Sequence, residues 1–324
     1  MGLQNKQWAD RFNYKWHSNP STPDAWVFFD KCILRPMRDK AWRIIVGDEE
    51  GDMIWAKEVL KDAAHYKDVL GHTQYNDNPN MVSGRAVQAY TDLLLVDDAS
   101  PNEAYAEAVN VLHGFQGGHW RDKDKDDMWI ANRERIYFDA EGKRSKEPVQ
   151  SEFALVCENA ASGIKEAMSG ANRIVGEIDL FGSIPHCELP YFGKPDYGEG
   201  RVELKTQWDQ AAHTDNPRAN SLPKKIKAPH MTQLAGYWHL SKIVPKIVYA
   251  NRLGYVVLEP TIDELQYALH DISMACRRRE KLMKVADDAV ELLNLTDPHF
   301  ADSFVWRDLS PNVMRKAKEL FGRT

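Results

Sequence analysis

Residues 176–208 read GEIDLFGSIPHCELPYFGKPDYGEGRVELKTQW, and the reading of this stretch decides the fold. Two short apolar runs, Ile174–Phe181 and Arg201–Trp208, flank a connection rich in Gly and Pro. That pattern predicts a pair of strands joined by a long, turn-laden loop. Asp179 stands near the end of the first run, and the second carries Glu203-Leu204-Lys205. Side chains alternate faces along a strand, so Glu203 and Lys205 share one face and Leu204 takes the other. Acids on otherwise apolar strands are costly to bury unless something neutralises them. A divalent cation beside Asp179 and Glu203 would do so.

The surrounding chain is long enough for one large domain or two modest ones. Its 324 residues carry 42 Lys and Arg against 48 Asp and Glu, a net charge of −6, which argues against non-specific coating of nucleic acid. A local basic channel remains compatible with that total, because acidic metal ligands themselves make the sum negative. No apolar run reaches membrane-spanning length, and no secretory leader is recognisable, so a cytoplasmic location is expected. The four cysteines, Cys32, Cys157, Cys187 and Cys276, show no CxxC and no close Cys/His spacing. Reduced thiols are therefore expected rather than a structural zinc or an iron–sulfur cluster.

Outward from the central stretch, helices are expected first, then strands interleaved with helices, then helices again. Met81–Leu95 and Pro101–Phe115 have amphipathic helical periodicity, and Met53–Val69 a mixed one. Ile130–Phe138 and Pro148–Val156 read as strands, and Glu158–Met168 as a helix. Beyond the central pair, a helix is expected over His230–Ile243 behind Pro229. Strands are expected at Lys246–Asn251 and Tyr255–Leu258. A long helical stretch, Thr261–Leu293, carries the capping pattern Thr261-Ile262-Asp263-Glu264, and Pro311 opens a last helix that stops at Gly322. The fold class is α/β, a central mixed sheet flanked by helices with helical additions at both ends. The organisation expected is an N-terminal, mainly helical elaboration over 1–80, a core over 81–295 and a C-terminal helical extension over 296–324.

Some patterns carry no chemistry. Asp122-x-Asp124-x-Asp126 begins like a calcium loop, but Asp127 occupies the glycine position and Arg133 the bidentate Glu position. Gly114-x-x-Gly117-Gly118 lacks the Lys-Ser/Thr of a phosphate loop. Gln233-Leu234-Ala235-Gly236-Tyr237 is more informative, since Gln233 and Tyr237 lie one helical turn apart on one face while Met231, Leu234, Ala235 and Trp238 form an apolar one.

GEID, then ELK, then QLAGY resembles the PD-(D/E)xK nuclease superfamily. Within it the similarity is closest to the branch containing RecB nuclease domains, lambda-type exonucleases and mitochondrial genome maintenance exonucleases. It extends from about Met81 to Leu258, with Gly176–Tyr237 carrying most of the weight. The resemblance implies a restriction-endonuclease-like core and a deoxyribonuclease dependent on one or two Mg²⁺ or Mn²⁺ ions. Asp179, Glu203, Lys205, Gln233 and Tyr237 would be catalytic. Glu152, Asp179, Glu203 and the backbone carbonyl of Leu204 would be metal ligands. The family places a His on its first helix. In Ser83-Gly84-Arg85-Ala86-Val87-Gln88 that position holds Gln88, which leaves the helix's role open.

Hard oxygen donors suit these ions, which neutralise charge at an attacked phosphate. Lys205 can hold the attacking water and offset developing charge. Lys224, Lys225 and Lys227, with Arg85 and Gln88, are candidates for contacts to a DNA backbone. The activity expected is exonucleolytic, on linear duplex or single strands, in replication, recombination or repair, and a phage source would fit. A restriction-like or structure-specific endonuclease and a catalytically decayed DNA-binding protein are the alternatives. A recombinase or single-strand-binding partner, and a homo-oligomer, are further expectations of the resemblance.

Overall fold

A computed structural model describes residues 6–18, 20–60, 79–114, 134–138, 144–171, 173–207, 222–300, 306 and 311–322. The fold is mixed α/β and largely helical, with three small sheets among the described residues. The chain separates into two compact units. One comprises 1–76, 181–192 and 269–324, and the other 77–180 and 193–268. No helix among the described residues is long and apolar enough to cross a membrane.

The first unit is mostly helical. It takes in the helices from Leu269 onward and, nearer the N-terminus, α1 (Gln7–Asp10), α2 (Asp24–Phe28), α3 (Arg35–Val46) and α4 (Met53–Leu60), with a π-helical stretch at Phe29–Leu34 joining α2 to α3. Aromatic burial dominates its core. Trp306 is fully buried, with the rings of Phe300, Trp26, Phe29 and Phe321 at 4.7, 5.1, 5.3 and 5.8 Å from it. Rings at such offsets add edge-to-face attraction to their burial. Trp26 and Trp306 thus form the centre of this core.

The second unit holds α5 (Pro79–Leu95), α6 (Pro101–Gly114), β1 (Glu134–Phe138), β2 (Arg144–Pro148) and α7 (Val149–Ala167). The strands β3 (Leu180–Ser183) and β4 (Pro190–Gly193) pair with each other in the segment where the chain crosses between units. Then follow β5 (Val202–Thr206), α8 (Ala228–Ser241), β6 (Lys246–Asn251) and β7 (Gly254–Leu258). The order β5-β6-β7 is parallel and then antiparallel, so this sheet is mixed. The parallel step needs a crossover, and α8 lies within it. Phe153, Val156, Cys157, Ala160 and Ile164 of α7 are fully buried, and they share a core with Val202, Leu204, Val248 and Ala250 of the sheet. Close approach of α7 to β6 requires Gly163, where a Cβ would meet Val248 Cγ1 at 2.5 Å. Finally α9 (Ile262–Val285), α10 (Ala289–Asn294) and α11 (Pro311–Leu320) complete the chain. The start of α9 is capped as expected, with Thr261 N donating to Glu264 Oε2 (2.8 Å) and Glu264 N to Thr261 Oγ1 (3.2 Å).

Two expectations about elements are corrected. Pro148–Val156 is not a strand: Pro148 ends β2 and the helix α7 begins at the next residue. Positions 153, 156, 157, 160, 161 and 164 are buried on one helical face, a period of 3.6 that outweighs the β-branched residues in the run. Glu152 accordingly sits in the first turn of a helix, and its side chain lies outside the described residues. The two runs flanking the central loop do not pair either. Of the first, only its last residues enter β3, which pairs with β4, while β5 takes β6 as its neighbour. The charged loop with Asp122, Asp124, Asp126, Asp127 and Arg133 lies outside the described residues, as does Trp208.

Candidate active site

The site is assembled on β5, around the edge turned away from β6. Gly198, Glu199 and Gly200 have φ of +65°, +58° and +99°. Three left-handed residues in succession reverse the chain, and two of them are glycine because that region costs a side chain free energy. The reversal lays Tyr197 opposite Val202, where the two exchange hydrogen bonds of 3.0 and 3.1 Å. Asp196 is thereby held against β5, and its Oδ2 accepts from the amide of Leu204 at 2.7 Å. A residue's amide and carbonyl leave a strand on the same edge, so the Leu204 carbonyl faces the Asp196 side. The Leu204 side chain enters the core, as alternation requires.

Glu203 and Lys205 take the opposite face and form an ion pair through Glu203 Oε1. The carboxyl of Glu203 is buried, with 1% of the residue exposed. Its Oε1 also accepts from Gln233 Nε2 at 2.7 Å, and Gln233 Nε2 lies 2.5 Å from the hydroxyl of Tyr237 one turn further along α8. Tyr237 donates to the carbonyl of Lys194 at 3.0 Å, which ties α8 to the residue two before Asp196. Lys205 and Gln233 both meet Glu203 at Oε1, and its buried Oε2 has no hydrogen-bond partner among the described residues.

The electrostatics follow from two acids lying close together. Burial, reinforced by the charge of Glu203, pushes the Asp196 carboxyl up to about 8. Burial also raises Glu203, against the opposing pull of Lys205. Burial alone would lower Lys205, but the carboxylates of Glu203 and Asp196 outweigh it and hold the amine in its charged form. Beyond Lys205, the Tyr249 hydroxyl accepts from Lys227 N at 3.2 Å and pairs with His230 Nδ1 at 2.7 Å. Burial, with Lys205 and Lys227 nearby, depresses His230 to about 4.

The sequence-predicted residues fall into three groups. Glu203, Lys205, Gln233 and Tyr237 are brought together, with the Leu204 carbonyl on the adjoining edge. Asp179 is exposed on extended chain just ahead of β3. Its charge reaches Lys194, which forms an ion pair with Glu177. Gln88 on α5 donates to that same Glu177 at 3.0 Å. Arg85, Lys224, Lys225 and Lys227 are exposed, Lys227 with its ammonium 6.0 Å from the centre of the Tyr249 ring. Sequence reasoning missed Asp196, His230 and Tyr249. For Asp196 a signal existed in Pro195-Asp196, seven residues ahead of Glu203, but a turn-rich loop gives no periodicity that would set it beside a strand.

These donors fit a hard divalent cation. A buried and a half-buried carboxylate stand close together, the buried one with an oxygen unpartnered among the described residues, and the Leu204 carbonyl faces the Asp196 side. A cation would supply the neutralisation that Lys205 provides only to Oε1. Compared with family models, curated proteins and solved structures, the chain matches none of them. What the site does is argued from its own chemistry.

Proposed function

We propose that this protein is a Mg²⁺- or Mn²⁺-dependent deoxyribonuclease of restriction-endonuclease-like architecture, acting on DNA ends. The observation that carries the reading is Glu203, a buried carboxylate with one oxygen left without a hydrogen-bond partner among the described residues, beside a second, half-buried acid, Asp196. A buried acid in a finished core is satisfied by donors. One that is not calls for a ligand, and the ligand that suits two carboxylates and a carbonyl is a hard cation.

Asp196, Glu203 and the carbonyl of Leu204 would hold the ion, with Asp179 and Glu177 at the rim. When bound, the ion supplies Lewis acidity, compensating charge on the attacked phosphate. The remaining work belongs to the chain's own groups. Lys205 is kept protonated by its acidic neighbours, so it serves as a cation that orients water and offsets charge at the phosphorus, not as the base. Gln233 fixes the Glu203 rotamer, and Tyr237 fixes Gln233. The exposed Lys224, Lys225 and Lys227 precede α8 and suit contacts to backbone phosphates that carry no sequence information.

The test is digestion of end-labelled linear duplex and closed circular duplex side by side, with Mg²⁺ and with chelator. Release of nucleotides from the linear substrate alone, lost with chelator and reduced about 10²- to 10³-fold in Lys205→Ala, is expected. Cutting of the circle would reassign the protein as an endonuclease. Undiminished digestion by Lys205→Ala would refute the site.

A further inference from the structure

The first unit contains a second cluster of ligand-type side chains, and the acidic site makes no use of it. His17, Cys187 and Cys276 each offer one donor atom, and these atoms all lie within 4.8 Å of one another. They come from three distant segments. The backbone of His17 is strapped to β4, its amide donating to Pro190 O at 2.8 Å while its carbonyl accepts from Phe192 N at 2.9 Å. Cys187 sits in the turn before β4, with its amide on Ile184 O at 3.1 Å. Cys276 lies on α9, one turn before Glu280. His17 and Cys276 are buried, and Cys187 is half-buried.

From this convergence we propose that His17, Cys187 and Cys276 bind one Zn²⁺ ion, with solvent in the fourth position on the half-buried Cys187 side. Two thiolates and one imidazole are a donor set that zinc favours over hard cations. Bonds of about 2.3 Å to sulfur and about 2.0–2.1 Å to nitrogen put tetrahedral ligand atoms about 3.4–3.8 Å apart. The observed group therefore needs to contract by up to about 1 Å. Both ring nitrogens are engaged, Nε2 3.0 Å from Glu280 Oε1 and Nδ1 3.2 Å from the Tyr14 hydroxyl, so the nitrogen that ligates gives up its partner while the other keeps the ring oriented. A carboxylate or hydroxyl on the non-ligating nitrogen is how metal-binding histidines are fixed in tautomer and direction. Glu280 is itself fixed, accepting from the amides of Glu188 and Leu189. Binding releases the two thiol protons to solvent, so two thiolates balance the charge of the ion.

The three residues are far apart in sequence, so spacing rules for cysteine and histidine do not detect them. The ion would fasten the N-terminal segment and the turn before β4 onto α9, a structural role.

Two measurements test this on the full-length protein. Elemental analysis after purification without added metal should find one zinc per chain, released on thiol modification. Replacement by Co²⁺ should give thiolate-to-cobalt charge-transfer absorption. Cys187→Ser should lower zinc content at least tenfold, while Cys32→Ala, at a thiol directed to the Phe12 carbonyl, should retain it. Protein that carries no zinc and gives no thiolate–cobalt absorption would overturn the proposal, as would a Cys187–Cys276 disulfide in the isolated chain or full zinc retention in Cys187→Ser. If Cys187→Ser fails to fold, the zinc content and cobalt spectrum of the wild type still decide.

Discussion

Glu280 and Glu203 are two buried glutamates, with 3% and 1% of their surfaces exposed, and they differ in everything that matters for function. Glu280, in the first unit, accepts from His17, from the Glu188 amide at 2.8 Å and from the Leu189 amide at 2.8 Å. Those donors overcome its burial and hold its carboxyl below the ordinary range. Glu203, in the second unit, has one oxygen crowded by Lys205 and Gln233 and the other without a hydrogen-bond partner among the described residues, and burial holds its carboxyl above the ordinary range. The first is a charge the fold has satisfied. The second is a charge the fold has left for something else. Under the proposed function, the contrast separates a structural acid from a functional one.

Removing the satisfied acid should cost most. Glu280→Ala leaves two amides and a buried imidazole without an acceptor, and a loss of about 3–5 kcal/mol is expected in urea or thermal unfolding. Glu203→Gln should behave in the opposite way. It removes a poorly compensated charge, so stability stays within about 1 kcal/mol of wild type or rises, while nuclease activity falls about 10²- to 10³-fold. If Glu203→Gln destabilised the chain as severely as Glu280→Ala, the distinction between the two acids would collapse.

Asp196 and Asp179 sharpen the comparison within the second unit. Asp196→Asn should lower Mg²⁺-dependent digestion about 10²-fold, and Asp179→Asn substantially less, because only Asp196 is held against β5 next to Glu203. The reverse ranking in steady-state rates would move the cation site to the rim.

How far the sequence foretold these places depends on whether each contact has a period. The strand β6 has the expected bounds, and the Thr261–Glu264 cap closes as its spacing implies, because both are local. The face shared by Glu203 and Lys205 and the turn joining Gln233 to Tyr237 were legible for the same reason. Asp196 was not, since a left-handed reversal at 198–200 decides its position and strand alternation carries no information about it. Nor was the pairing of β5 with β6, a contact across some forty residues that competes with the nearer run at 174–181. At Val149–Val156, Phe and Val favoured a strand in a short window, and only the longer run to Ala167 reveals the helical period. The gathering of His17, Cys187 and Cys276 is wholly tertiary.

Smaller effects probe the frame around the site. Gly163→Ala should cost about 1–3 kcal/mol through its clash with Val248, with activity of the folded fraction unchanged. The smallest is a pH effect at His230, which faces Lys205, Lys227 and the Tyr249 hydroxyl. Its folded value of about 4 lies below the ordinary 6.5, so the unfolded chain binds the proton first as pH falls. Stability should therefore decline as pH drops from about 6.5 towards 4, and His230→Gln should flatten that slope in unfolding curves taken across this window.

The central claim is that the unpartnered Oε2 of Glu203 marks a cation site, and calorimetric titration of the purified protein with Mn²⁺ tests it most directly. The wild type should bind with a saturable heat that Glu203→Gln abolishes, at unchanged secondary structure. Equal binding by the wild type and Glu203→Gln would contradict the account.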